Sequence, residues 1–176
     1  MNAEILAVGT ELLLGDIVNT NTQFIAQGLA ELGITVHYQT VVGDNPERMK
    51  KAMNIAFERA DVIITTGGLG PTEDDLTKEI GAEYFGRELI LDEKALERIK
   101  TAFRKMNREM TENNVKQAMV PKDAIVMYND NGTAPGIIIE NKNKILIMMP
   151  GPPKEMKPMF SEQVKPYLAG KQEYTL

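Results

Sequence analysis

The sequence predicts an α/β fold in which a mostly parallel, mixed sheet carries helices on both faces. Three observations predict it. Short apolar, β-branched runs alternate three times with amphipathic helical stretches in the first half of the chain, an order that parallel strands joined by right-handed crossovers produce. Each of these runs stops at a loop rich in glycine and acidic or hydroxyl residues, so the loops near Gly9, Asp44 and Thr66 emerge together at the carboxyl edge of the sheet, where ligands bind in open α/β folds. Three later strand-like runs are separated by short turns, so at least one of them runs antiparallel to the first three.

Residues 5–8 form the first strand and run into Gly9, Thr10 and Glu11. A polar cluster from Gly15 through Asp16, Asn19 and Asn21 leads to a helix with an apolar stripe of Phe24, Ile25, Leu29 and Leu32, closed by Gly33 at C′. Ile34, Val36 and Tyr38 alternate as in a strand exposed on one face. After Gly43 and Asp44, Asn45 is placed to cap a helix and Pro46 to open it, with Met49, Met53, Ala56 and Phe57 facing inward.

The chemistry concentrates after residues 62–65, a short run fit for a strand buried on both faces. Gly67, Gly68 and Gly70 lack a Cβ, so they accept positive φ and let backbone N–H groups approach a ligand. Thr72 and Asp75 fit a capping-box-like pattern, opening a helix with Leu76, Ile80 and Tyr84 along one face. Strand, glycine turn and helix N-terminus make a corner suited to anions; the alternative is that Asp75 only caps its helix. Gly70-Pro71-Thr72 lacks the Walker ending, and Glu73 stands where a dinucleotide fingerprint needs glycine, so the pattern names no ligand.

Beyond Gly86, Asp92 caps a charged helix carrying Leu96, Ile99, Phe103 and Met106, followed by a short helical piece at residues 111–118. This pair reads as an excursion packed on the domain, with a lid or an oligomer face as the alternative. Residues 124–128, 136–140 and 145–149 read as strands, and Pro150, Gly151, Pro152 and Pro153 end the last one. Lys154, able to neutralise a phosphate, and Glu155 start a final helix with Met156, Met159, Phe160 and Val164. An interior proline costs about 3 kcal/mol, so this helix either begins at Pro158 or has an irregular first turn. Residues 1–170 read as one domain and 171–176 as a polar tail that frays.

Composition narrows the function. The 176 residues are 43% hydrophobic and 26% charged, ordinary for one soluble domain. The absence of cysteine excludes disulfides, thiolate catalysis and Cys-based zinc sites. No secretory leader or membrane-length apolar run is visible, so a cytoplasmic protein without membrane contact is expected. A net charge of −5 argues against nucleic acid as partner and favours a small molecule. Glu11, Asp16, Asp44, Glu73, Asp74, Asp75 and Glu155 fall in or beside the expected ligand edge. Carboxylates repel phosphates, and a divalent cation such as Mg²⁺ resolves that conflict, which points to phosphoanhydride hydrolysis or nucleotidyl transfer. Glu73 and Asp74 are expected to cap a helix or face solvent. His37 stands alone in its strand, so no Ser-His-Asp set assembles.

Residues 5–15, Asn19-Thr20-Asn21, Val42-Gly43-Asp44, and the runs at 65–75, 132–136 and 150–155 together resemble the N-terminal domain of the competence/damage-inducible CinA family. That domain is similar to the molybdopterin-binding MoaB/Mog domain. The resemblance implies a three-layer α/β/α sandwich and an ADP-ribose pyrophosphatase activity dependent on a divalent metal, Mg or Co. Asp44 and Asp75 match two aspartates of the Mog-type site and become the catalytic and metal-binding candidates, with Glu11 as a further metal candidate. Gly9, Thr10, Glu11, Gly15, Asn19 and Asn21 are the first part of the expected nucleotide- or pterin-binding set. Thr66, Gly67, Gly68, Gly70 and Thr72 continue it, and Pro150, Gly151, Pro153 and Lys154 complete it. The alternative is a molybdopterin- or nucleotide-binding module without hydrolysis. A homo-oligomer is expected. CinA proteins usually continue into a nicotinamide-nucleotide amidase domain, which these residues do not include, so a C-terminal amidase domain is an expected partner and its activity is not carried over.

Overall fold

A computed structural model describes residues 1–173 of the chain. Its elements run β1 (Asn2–Val8), α1 (Thr10–Leu14), α2 (Thr20–Glu31), β2 (Thr35–Val42), α3 (Pro46–Arg59), β3 (Val62–Thr66) and α4 (Thr77–Tyr84). They continue with β4 (Leu89–Leu91), α5 (Glu93–Lys105), α6 (Glu112–Lys116), β5 (Met119–Pro121), β6 (Ile125–Met127), β7 (Gly136–Asn141) and β8 (Lys144–Met149). The last helix is built of α7 (Pro153–Met159), a π segment (Phe160–Val164) and α8 (Lys165–Glu173).

The main sheet has the order β2-β1-β3-β8-β7-β6. β1 pairs in parallel with β2 and β3, and β3 with β8. β7 is antiparallel to both neighbours, the one reversal the late turns required. Successive residues of the central strands point to opposite faces. Leu6, Ile63, Leu146 and Met148 pack beneath α3 and α4 with Met53, Phe57 and Ile80. Ile5, Ile64 and Ile147 pack on the other face with Ile25 and Leu29 of α2 and Met156, Phe160 and Leu168 of the last helix. Two helical layers therefore enclose one sheet, giving the α/β/α sandwich.

The caps follow the sequence. The Asn45 side chain accepts from Arg48 N at 3.0 Å with Pro46 opening α3, Asp92 accepts from Ala95 N at 2.9 Å, and Gly33 takes φ 72° beyond α2. Other features differ. β1 begins at Asn2, because Glu4 is buried with its carboxylate satisfied by Arg59 Nε at 2.8 Å, Arg59 Nη2 at 2.9 Å and Thr40 Oγ1 at 2.8 Å. Strands β4 and β5 form a separate antiparallel pair of three residues each, too short for an alternating pattern to announce them. The helix after the glycine turn starts at Thr77, several residues later than the Thr72-Asp75 pattern suggested. Pro158 neither starts the last helix nor disorders its first turn. The helix runs from Pro153 and widens afterwards into the π segment, where Lys165 N bonds to Phe160 O. The first residues of the expected tail, Lys171 to Glu173, belong to α8, and the rest of it, residues 174–176, lies outside the described residues. No helix among the described residues is long and apolar enough to cross a membrane.

Two glycines on the α2 side should respond oppositely to a methyl group. A Cβ on Gly28 would overlap the Phe160 ring, whereas one on Gly170 meets nothing within 4 Å. Gly28→Ala is expected to lower stability by about 1–3 kcal/mol through overpacking, and Gly170→Ala to raise it by up to about 1 kcal/mol through helix propensity. Urea unfolding of both variants checks the signs.

Candidate functional site

The strands β1, β2, β3 and β8 run the same way and deliver their following loops to one edge of the sheet. β6, antiparallel to β7, points there too and brings residues 128–135. Between these loops lies a cleft of about 610 Å³. Gly9, Glu11, Asn19, Asn21 and Asp44 line one part of it, and Thr66, Gly67, Gly68, Gly70, Asp75, Pro150, Gly151 and Pro153 line the rest, so most of the expected residues meet there.

Asn21 ties the walls together. Its Nδ2 donates to Thr66 Oγ1 at 2.9 Å and to Gly151 O at 2.7 Å, and Thr66 Oγ1 donates to Pro150 O at 3.1 Å. Asn19 caps α2 by accepting from Thr22 N and Thr22 Oγ1. Asn21 Oδ1 is buried with no donor among the described residues.

Gly67 and Gly68 take the positive φ expected of the turn, and the packing of the chain adds a second reason for them. Their φ values are 103° and 75°, and a Cβ on the first would overlap Val8 O and one on the second Thr77 Oγ1. The chain itself demands them, whatever ligand they face. Thr77 anchors the turn, donating through Oγ1 to Gly67 O at 3.0 Å and through N–H to Gly68 O at 3.2 Å. Elsewhere glycines make room for carboxylates. A Cβ on Gly9 would lie 2.5 Å from Glu11 Oε1, one on Gly70 2.6 Å from Asp75 Oδ2, and one on Gly132 would overlap Glu155.

Among the described residues four carboxylates, Glu11, Asp44, Asp75 and Glu155, line the cleft, and no lysine or arginine does. Asp44 Oδ2 accepts from Thr10 N and Thr10 Oγ1, both at 3.3 Å. Asp75 Oδ2 accepts from Thr72 N at 3.0 Å and Thr72 Oγ1 at 2.6 Å. This pair closes a turn ahead of α4 and is no helix cap, because the helix begins only at Thr77. Each aspartate is thus fixed through one oxygen, and Oδ1 of each has no hydrogen-bond partner among the described residues.

Four expected residues stand outside the cleft wall. Thr10 and Thr72 turn their polar groups toward Asp44 and Asp75, Gly15 is the left-handed C-cap of α1 at φ 77°, and Lys154 is exposed on the first turn of α7. Three His, Cys, Asp or Glu side chains gathered to hold a metal ion do not occur among the described residues. Glu11, Asp44 and Asp75 therefore share a cleft without forming a closed cage. They suit a hard cation that takes one or two carboxylates and fills its shell from ligand oxygens and water.

The helical excursion contributes more than the sequence suggested. Lys116 Nζ donates to Thr72 O at 3.0 Å and Asp75 O at 2.8 Å, and Lys78 Nζ donates to Lys116 O at 2.7 Å. Burial pulls the Lys78 amine down to about 8. Next to Lys116, Gln117 lines the cleft. No local spacing signals that residue. Thr133 and Ala134 also line it, delivered by the loop after β6.

Burial pushes the Glu155 carboxyl above its ordinary value, against the opposing hydrogen bond from Asn129 and the nearby Lys154 charge. Asn129 Nδ2 donates to Glu155 Oε1 at 2.8 Å. A carboxyl raised in the folded state stabilises most when protonated, so its contribution is complete below the unfolded value and is lost as pH rises through the folded one. Glu155→Gln keeps an acceptor for Asn129 and removes the charge. The variant is expected to melt higher than wild type at pH 8, with the gap closing as pH falls through the carboxylate range, as thermal melts across pH will show.

A family model described as a probable molybdopterin binding domain matches residues 4–170. A putative competence-damage inducible protein of Clostridium beijerinckii is 59% identical over 176 residues, all of this chain and 43% of that relative. A CinA-like protein of Dictyoglomus thermophilum is 61% identical over 168 residues, 96% of this chain and 41% of that relative. The chain spans less than half the length of these curated relatives. Among solved structures, the protein CinA with unknown function from Thermoplasma acidophilum aligns with a TM-score of 0.84 at 37% identity, covering 94% of this chain and 96% of that one. The molybdopterin biosynthesis enzyme MoaB from Thermus thermophilus aligns with a TM-score of 0.61 at 19% identity over 97% of this chain and 94% of that one, a likeness of fold. The chain belongs to the family of probable molybdopterin binding domains, and within it to the CinA, competence-damage inducible proteins.

Proposed function

We propose that the cleft binds a nucleotide pyrophosphate such as ADP-ribose and hydrolyses it with the help of a divalent cation, Mg²⁺ or Co²⁺. The observation that carries this reading is the charge of the site: among the described residues, four carboxylates and no lysine or arginine line a cleft walled by glycine loops. Alone, such a wall repels phosphate. Asp44 and Asp75 would hold the cation through the oxygens that Thr10 and Thr72 leave unengaged, with Glu11, elsewhere on the same wall, as a further candidate. Bound there, a cation would neutralise the phosphates and lower the pKa of a water molecule. The protein's own part is to orient: Thr10 and Thr72 fix the aspartates, and the loops carrying Gly67 to Gly70 and Pro150 to Pro153 shape the space beside them. Hydrolysis adds water across the pyrophosphate and yields AMP and ribose 5-phosphate.

The second reading is a molybdopterin- or nucleotide-binding module without chemistry. The absence of a three-residue metal group among the described residues, together with the description of the matching family, favours it. For either reading we place the protein in the cytoplasm and expect a homo-oligomer that covers the exposed Leu13, Leu14, Ile17 and Val18. The remainder of the relatives' length is the place for a C-terminal amidase domain.

Product release from ADP-ribose separates the two readings. Asn can still accept from Thr72, so Asp75→Asn should leave the melting temperature nearly unchanged and cut turnover by about 10²-fold or more. Turnover should also vanish in EDTA and return with Mg²⁺ or Co²⁺, while binding weakens without disappearing. Binding without product in wild type selects the module, and full turnover in EDTA, after verified metal removal, excludes the cation.

A further inference from the structure

Gln117 is 3% exposed and lines the cleft, yet its side-chain carboxamide makes no hydrogen bond to any described residue and its Oε1 is buried. A buried amide left in that state costs stability, so its position calls for a partner from outside the chain. Its place is well defined. Lys116, the preceding residue, is tied to the carbonyls of Thr72 and Asp75, which sets Gln117 against the loop at residues 70–75. The acids occupy only part of the cleft. Leu69, Pro71 and Ala134 line it too, offering apolar area that phosphates do not use.

We propose that Gln117 reads the heterocycle of the ligand. This rests on the nucleotide or pterin reading of the cleft and adds to it the residue that selects the ring. A carboxamide presents one acceptor and two donors in a plane. It therefore matches a flat ring that shows a donor beside an acceptor, as adenine does at its exocyclic amine and adjacent ring nitrogen, and an apolar wall suits the ring's face. A phosphate or carboxylate offers acceptors only and would leave Gln117 Oε1 unpaired. The excursion through α5 and α6 acts on this view as a reading arm held to the catalytic loop by Lys116.

Calorimetric titration of the full chain with AMP and with ribose 5-phosphate, both in Mg²⁺, tests the assignment. Gln117→Met keeps length and apolar bulk. It should weaken AMP about tenfold or more and leave ribose 5-phosphate unchanged. Gln117→Leu also removes the carboxamide without adding charge, so it should weaken AMP in the same sense and serves as the second variant if Gln117→Met fails to fold. Equal weakening of both probes, or unchanged affinity for both, overturns the inference; so does normal AMP affinity with reduced ADP-ribose turnover, which would make Gln117 a water-positioning residue. Ribose 5-phosphate bound by wild type as tightly as AMP overturns ring reading and leaves the phosphate site standing. Binding of neither probe by wild type overturns the nucleotide reading itself and this inference with it.

Discussion

The Asn21 carboxamide donates both its N–H bonds inward, to Thr66 Oγ1 at the end of β3 and to Gly151 O after β8, and the cleft depends on that clamp. Three separate stretches of chain are involved. Gly67 N reinforces them by donating to Met149 O at 3.0 Å, and a Cβ placed on Gly151 would come 3.4 Å from Gly67 Cα, so the two glycines pack face to face. Because only the nitrogen end of an amide can serve a carbonyl such as Gly151 O, the orientation is fixed and Oδ1 is left as an acceptor without a donor. The geometry of the ligand edge is therefore set before a ligand arrives, which lowers the ordering cost of binding.

Charge is arranged around this rigid frame in an unusual way. Carboxylates lie over Gly9, Gly70 and Gly132, where any side chain would collide with them. Asp44 and Asp75 are each steadied by a threonine that supplies both a backbone N–H and a hydroxyl. Such bonds to charged acceptors are stronger than neutral ones and hold each carboxylate in one orientation. The threonines thus belong to the site by holding its acids, even though they stand outside its wall.

Much of this was legible because it is local. β-branched runs at residues 5–8 and 62–65, the Asn45-Pro46 start and Gly33 each declare an element through its own neighbours, and parallel order then forces their loops to one edge. The glycine turn was legible as a turn, and its second reason, the clash of a Cβ with Val8 or Thr77, was not, since Val8 lies on another strand and Thr77 nine or ten residues onward. Long-range partners explain the other gaps. Glu4 sits in a buried strand only because Arg59 reaches it, Thr77 starts α4 only because Gly67 and Gly68 receive its bonds, and Gln117 enters the cleft only because the excursion is tied back by Lys116. Only the Gly68–Thr77 pair fits within ten residues of chain; the others lie beyond any local window.

The same excursion shows where the positive charge of the site resides. Lys116 sits behind the loop at residues 72–75, its ammonium directed to two backbone carbonyls and 3.7 Å from Glu79 Oε1, and Lys78 is buried behind it against Lys116 O. Amines so engaged lend structure to the wall and offset some of the repulsion among the acids. Neither lines the cleft, and their hydrogen bonds run to the main chain. Glu11, Asp44, Asp75 and Glu155 share the cleft wall with the glycine loops. With both amines turned to the main chain, the acids share the wall with no lysine or arginine among the described residues, and the proposed cation-dependent reading rests on that charge pattern.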